Sequence, residues 1–146
     1  MTSRILFVCL GNICRSPTAE AVMRHHRPDL EIDSAGTGDW HVGAPPYGPM
    51  QEAAARRGYD LSALRARHFT PADFDLFDLI VVMDAENRAA VERQRANGQA
   101  TPVRLFTEFA PAAGMDQVPD PYYTRDFDGA LDLIEEAAQG LSRALT

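Results

Sequence analysis

The chain has 146 residues, 45% of them hydrophobic and 24% charged, values of one globular domain rather than of a disordered, collagenous or repeat chain. Its net charge of −7 argues against nucleic acid as a partner, because a phosphate-backbone binder presents a basic face. No run approaches the ~18 apolar residues of a membrane span and MTSRILFVCL is too short for a secretory leader, so no membrane attachment and a cytoplasmic location are expected.

Residues 4–8 (RILFV) are an apolar run of strand formers bounded by a glycine-containing loop, which predicts a buried strand. Ser16-Pro17 then opens a helix, with Ser16 as N-cap, Pro17 as first helical residue, and Ala19, Val22, Met23 and His26 on one face. Residues 31–35 predict a second strand, and Gly36 to Pro49 a long irregular loop carrying Trp40, His41 and Tyr47. A helix over 51–57 stops at Gly58; residues 78–83 (DLIVVM) predict a third strand; Asp84 caps a helix over 85–97 that Gly98 ends. Residues 102–106 (PVRLF) predict a fourth strand, and Pro111, Pro119 and Pro121 keep the next stretch irregular. Phe127, Leu131, Ile134, Ala138, Leu141 and Leu145 then form the apolar stripe of a last helix, whose acidic stretch Asp126 to Glu136 reads as a solvated face. Strands alternating with helices imply right-handed crossovers and a four-stranded parallel sheet flanked by helices. The expectation is a single doubly wound α/β domain over residues 1–146.

The first strand-to-helix connection carries the chemistry. Ligands of open α/β sheets bind at the carboxyl ends of strands, where Cys9-Leu10-Gly11-Asn12-Ile13-Cys14-Arg15-Ser16-Pro17 lies. Gly11 and Asn12 tolerate positive φ, so successive backbone N–H groups of residues 10–16 can turn inward as an anion nest at the positive end of the helix. Arg15 can grip two phosphate oxygens with its planar fork. A helix N-terminus and a guanidinium lower a cysteine pKa from ~8.5 to between ~3.5 and ~7.5, so Cys9 is expected to be ionised below a bound phosphate. Ser16 can donate its hydroxyl to that sulfur. Two cysteines alone admit metal, redox or nucleophile roles; no other Cys or His has zinc-ligand spacing, so neither metal nor cofactor is expected. His26 reads as a packing residue of the helix face, and His25 and His68 as structural or solvated.

Expelling an alkoxide or phenolate needs a proton donor, and Asp120, stiffened between Pro119 and Pro121, is the candidate, with a turn-forming role as the alternative. Leu10, Ile13, Trp40, His41, Tyr122 and Tyr123 are expected to wall a cleft for a flat aromatic group, although the three exposed-type aromatics also fit ordinary surface or core positions.

The segment CLGNICRSP resembles the phosphate-binding loop of the low-molecular-weight protein tyrosine phosphatases. The resemblance continues through Asp33-Ser34-Ala35-Gly36, Asp39-Trp40, Val81-Val82-Met83-Asp84 and Asp120-Pro121-Tyr122-Tyr123, nearly the whole chain in order. It implies a phosphotyrosine-protein or aryl phosphate substrate, Cys9 as nucleophile, Asp120 as general acid and then base, and Asn12 and Ser34 bracing the loop. It further implies a reversible Cys9–Cys14 disulfide under oxidation; read without it, Cys14 is equally a small buried filler. Family relatives that act on phosphoarginine place a threonine where this chain has Ile13, which favours tyrosine. His41 stands where other members often carry an amide. An arsenate-reductase-like cascade needs further cysteines, and none follows Cys14; a catalytically silent phosphate-binding module does not need Cys9, Arg15 and Asp120 together. Exposed aromatics are compatible with a weak homodimer.

Overall fold

Strand β1 (Arg4–Cys9) is apolar from Ile5 onward because both of its faces are covered. Alternation sends Ile5, Phe7 and Cys9 into one core and Leu6 and Val8 into another. The computed structural model describes residues 2–145. Its sheet also contains β2 (Glu31–Gly36), β3 (Leu79–Val82) and β4 (Val103–Leu105), all parallel, in the order β2-β1-β3-β4.

The chain leaves β1 through helix α1 (Arg15–His26) and returns as β2 on one side, then reaches β3 on the other. The carboxyl end of β1 is therefore the switch point, and the loop from Cys9 to α1 issues from it. Helices α1, α2 (Gly48–Ala55) and α6 (Phe127–Ala144) contribute to the first core, where Phe7 meets Phe106 at 5.1 Å between ring centroids. The second core joins Leu6, Val8, Ile80 and Val82 to Phe74 of α3 (Asp73–Leu76) and Val91 of α4 (Ala85–Glu92). The result is the expected doubly wound α/β domain.

Several local expectations are corrected. Ser16 is not the N-cap of α1: the helix begins at Arg15 with Cys14 in the cap position and no side-chain cap, because the Ser16 hydroxyl is turned to Cys9. Helix α2 starts at Gly48, with Pro49 in its first turn, and ends at Ala55. Helix α4 stops at Glu92 instead of running to 97, where Arg95 bends the chain back by donating to the carbonyls of Gln99 and Thr101. The stretch around Pro111–Pro121 is not wholly irregular: it holds 3₁₀ turns at Phe106–Phe109 and Pro111–Ala113 and the single-turn helix α5 (Pro121–Thr124). Turns this short show no apolar period to read. His26 is half-buried, with Nε2 unpaired. The acidic face of α6 is ion-paired, Arg57 reaching Asp128, Asp132 and Glu135.

Gly140 lies within α6, where alanine is favoured over glycine by about 1 kcal/mol. A Cβ there would run into the backbone carbonyl of Phe109, and overpacking against a group that cannot rotate away costs about 1–3 kcal/mol. Gly140→Ala is therefore expected to lower the urea midpoint at unchanged m value. A higher midpoint would mean that the Phe106–Phe109 turn moves aside freely.

Candidate active site

Cys9 ends β1, and two donors meet its sulfur: the Asn12 backbone N–H at 3.3 Å and the Ser16 hydroxyl at 3.0 Å. Asn12 takes φ 58°, the left-handed conformation that its short polar side chain tolerates, and this turns its N–H toward the sulfur. Opposite the loop stands Gly36, where a Cβ would meet the Leu10 carbonyl at 2.8 Å. Only glycine lets β2 end so close to the loop.

Beneath the loop the polar atoms form an ordered chain. The Asn12 amide donates to Ser16 Oγ at 2.7 Å and to Ser34 Oγ at 3.0 Å, and its Oδ1 accepts the Arg67 N–H at 2.9 Å. The Ser34 hydroxyl donates to Glu20 Oε1 at 2.6 Å, and Glu20 pairs with Arg24 at 2.6 Å. Because Ser16 already accepts from Asn12, its one proton is available to Cys9; the competing acceptor, the Ala35 carbonyl, is farther away at 3.4 Å. Burial raises the Glu20 carboxyl pKa against the opposing effects of Ser34 and Arg24. Arg67 is itself held by Asp33 at 3.1 Å and Asp73 at 3.0 Å.

Arg15 is only 3% exposed. Its NH1 donates to Asp84 Oδ2 at 2.7 Å and to the Val118 carbonyl at 3.0 Å, whereas Nε has no partner and NH2 has only a long 3.5 Å contact with Asp120 Oδ2. One edge of the guanidinium is thus anchored and the Nε/NH2 edge is available, the geometry that grips an oxyanion with two donors. Burial alone would lower the Arg15 pKa, but Cys9, Asp84 and Asp120 more than offset this and raise it. Asp84 caps α4 as expected, accepting from the Asn87 N–H at 2.8 Å with its other oxygen. Its hold on Arg15 went unread in the sequence, though its place directly after β3, at the sheet's carboxyl edge, was the signal.

Asp120 caps α5, its Oδ1 accepting from the Tyr122 N–H at 3.1 Å. It shares a cavity of about 220 Å³ with Cys9, Arg15, Leu10, Ile13, Trp40, His41, Tyr122 and Tyr123, and Gly11 and Cys14 line it too. Trp40 and Tyr123 stand at its mouth, 70% and 72% exposed. Asn12, Ser16 and Ser34 lie outside this lining, in the hydrogen-bonded layer described above. A larger cavity of about 400 Å³, near Met115, Pro119 and Leu133, contains neither cysteine nor arginine. Chemistry, not size, selects the smaller one.

Arg125 was also missed. It adopts φ 63°, donates to the Tyr47 hydroxyl at 2.8 Å and lies over the rings of Tyr47 and Phe127 at 5.2 and 5.1 Å. Tyr47 in turn donates its N–H to the Ile13 carbonyl at 2.8 Å and packs on Tyr122 at 5.1 Å. The segment carrying Asp120 is thereby tied to the Cys9 loop.

Residues 4–146 match the family model described as low molecular weight phosphotyrosine protein phosphatase. The chain is 37% identical over 143 residues to the low molecular weight protein-tyrosine-phosphatase YfkJ of Bacillus subtilis, covering 94% of this chain and 92% of that one. It is 44% identical over 156 residues to a low molecular weight protein-tyrosine-phosphatase of Streptomyces coelicolor, covering 99% and 94%. The crystal structure of YfkJ superposes with a TM-score of 0.93 at 35% identity over 99% and 95% of the two chains. Vibrio vulnificus Wzb, solved in complex with benzylphosphonate, superposes at 0.89 with 30% identity, covering 99% of each. The chain belongs to the low molecular weight phosphotyrosine protein phosphatase family.

Cys14 is buried, and burial, with the charges of Cys9 and Asp120, pushes its thiol from the ordinary 9.0 to about 12. At neutral pH it is expected to resist iodoacetamide while Cys9 is labelled, as read by peptide mass spectrometry; modification of Cys14 first would contradict this burial. Because the folded thiol binds its proton more tightly than the unfolded one, its contribution to stability is complete below pH 9 and lost as pH rises toward about 12.

Proposed function

We propose that residues 1–146 act as a single phosphatase domain that hydrolyses phosphotyrosine in proteins, or aryl phosphates, through a cysteinyl-phosphate on Cys9. The observation that carries this reading is the guanidinium of Arg15, anchored through NH1, unpaired at Nε and only loosely held at NH2, in one cavity with Cys9 and Asp120.

The phosphate would lie in the nest of residues 10–16, two of its oxygens on the open edge of Arg15. Cys9 Sγ attacks phosphorus in line, the bond to the aryl oxygen breaks, and Asp120 gives its proton to that oxygen. Asp120, now a carboxylate, takes a proton from water; the water oxygen bonds to phosphorus and the P–S bond breaks. Ser16 donates to the departing sulfur, from the 3.0 Å contact already present. Arg15 and the loop N–H groups balance the charge of the transition state, so the proposed reaction uses neither metal nor cofactor. Asn12 and Ser34 brace the loop.

Leu10, Ile13, Trp40, His41, Tyr122 and Tyr123 wall the entrance. A cavity of about 220 Å³ suits one aryl phosphate, a ligand similar in outline to the benzylphosphonate bound by the Vibrio relative. No helix of the described residues is long and apolar enough to cross a membrane, and we assign the protein to the cytoplasm, with weak self-association through its exposed aromatics. Cys14 is assigned the role of trapping oxidised Cys9 as a disulfide: the sulfenic acid on Cys9 is displaced by the Cys14 thiol with loss of water.

Metal-free hydrolysis of p-nitrophenyl phosphate and of a phosphotyrosyl peptide tests the mechanism. Cys9→Ser is expected to abolish turnover while still binding phosphate, and Asp120→Asn to lose ~10²–10⁴-fold with a poor leaving group. Full activity in Cys9→Ser, or faster turnover of a phosphoarginyl peptide, would overturn the assignment of nucleophile or of substrate respectively.

Peroxide is expected to inactivate the wild type reversibly. Cys14→Ala should recover less activity with dithiothreitol; equal recovery would remove the protective role of Cys14.

A further inference from the structure

A further cavity, of about 460 Å³, shares Leu10, Arg15, Trp40, Asp120 and Tyr123 with the aryl cleft and runs from them along α4. A phosphorylated side chain fills the smaller cavity alone, so this space is open to the chain that carries it. Its lining specifies a chemistry.

Asn87 is 2% exposed and lines this cavity, yet its Oδ1 has no hydrogen-bond partner. A buried acceptor without a donor is costly, and a ligand N–H would satisfy it. The adjacent Glu86 also lines the cavity and makes no ion pair or side-chain hydrogen bond among the described residues. Asp84 and Asp120 complete a wall of oxygen acceptors. The opposing cations are Arg15, already held by both of those aspartates, and Arg93. Arg93 follows the last residue of α4, seven residues beyond Glu86, about 10 Å along the axis at 1.5 Å per helical residue, so its backbone lies toward the far end. With a phosphate on the other edge of Arg15, Asp84 still paired at NH1 and Asp120 carrying the proton of its acid role, Glu86 and the phosphate itself leave the near end negative and rich in acceptors.

We propose that this cavity is a subsite for a lysine or arginine directly flanking the phosphotyrosine in the substrate protein, its cationic group donating to Asn87 Oδ1 and Glu86. The inference rests on the phosphatase reading and names the substrate class of the same site. A flanking glutamate would meet the Glu86 carboxylate and the unpaired Asn87 carbonyl there, so the subsite discriminates by repulsion as well as by attraction.

The test is kcat/KM for phosphotyrosyl peptides differing only in Lys, Ala or Glu beside the phosphotyrosine, on either side in turn, at fixed ionic strength. On one side the order should be Lys above Ala above Glu, with roughly tenfold between the extremes, carried by KM and reduced by salt. Glu86→Lys, a change on the exposed side of α4, should erase or invert that ratio. Asn87→Ala should narrow it, and the ratio is independent of how much folded enzyme each preparation contains. Rates equal within twofold for all three peptides would overturn the subsite, as would a preference that survives in both variants. Failure of the wild type on every peptide and on p-nitrophenyl phosphate would instead overturn the phosphatase reading itself.

Discussion

A buried guanidinium anchored on one edge, with an unpaired Nε and only a long contact on the other, is the constraint around which the molecule is arranged. Arg15 loses its hydration at 3% exposure, and a charge in such a place persists only when paired and hydrogen-bonded. Asp84 and the Val118 carbonyl meet that requirement through NH1 alone. Had Asp84 taken the Nε/NH2 edge in a parallel fork, the ion pair would be as well satisfied and the anion site would be closed. The same aspartate caps α4, so the position of Arg15 depends on where that helix begins.

The loop around this cation depends on the sheet. β1 is one of the two inner strands of the sheet, between β2 and β3, and Cys9, its last residue, is in register with Gly36 of β2. The missing side chain at Gly36 and the left-handed Asn12 let the loop curl back over the strand end. The Asn12 side chain then fixes the direction of every proton beneath the sulfur. Its amide fills one lone pair on Ser16 and leaves that hydroxyl one good target, and its carbonyl is occupied by the Arg67 N–H. An asparagine is required for this twice over, once for backbone conformation and once for carrying donors and an acceptor on one short side chain.

This division explains what was legible in the sequence. The four strands, the amphipathic α6 and the Cys9–Pro17 loop each depend on contiguous residues whose pattern is local, and the structure places them within a residue or two of expectation. The cleft residues Leu10, Ile13, Trp40, His41, Tyr122 and Tyr123 gather with Cys9 and Asp120 because the loops that bear them all lie at the carboxyl edge of the sheet. What could not be read depends on pairs far apart in the chain. Asp84 on Arg15, Glu20 on Ser34 and Arg125 on Tyr47 are contacts of side chains whose local roles looked complete without them. Ser16 shows the converse error: its local role as a helix cap was plausible, and the competing demand of Cys9 for a donor prevailed.

A protein of net charge −7 that binds a dianion appears self-defeating until range is considered. Charges beyond about 8 Å are screened at physiological ionic strength, whereas the donors of the proposed nest would act at hydrogen-bond distance, where their field is strongest. The acidic exterior therefore costs little at the phosphate. It bears more on what is attached to the phosphate, because the groove beside the cleft is lined by carboxylates at the end nearer Arg15. Once the phosphate shares the guanidinium with Asp84, one cation serves two anions, and Glu86 faces the substrate chain with no ion-pair partner among the described residues. Recognition of the anion and preference for a cation next to it are then two consequences of one arrangement, with Arg15 at the boundary between them.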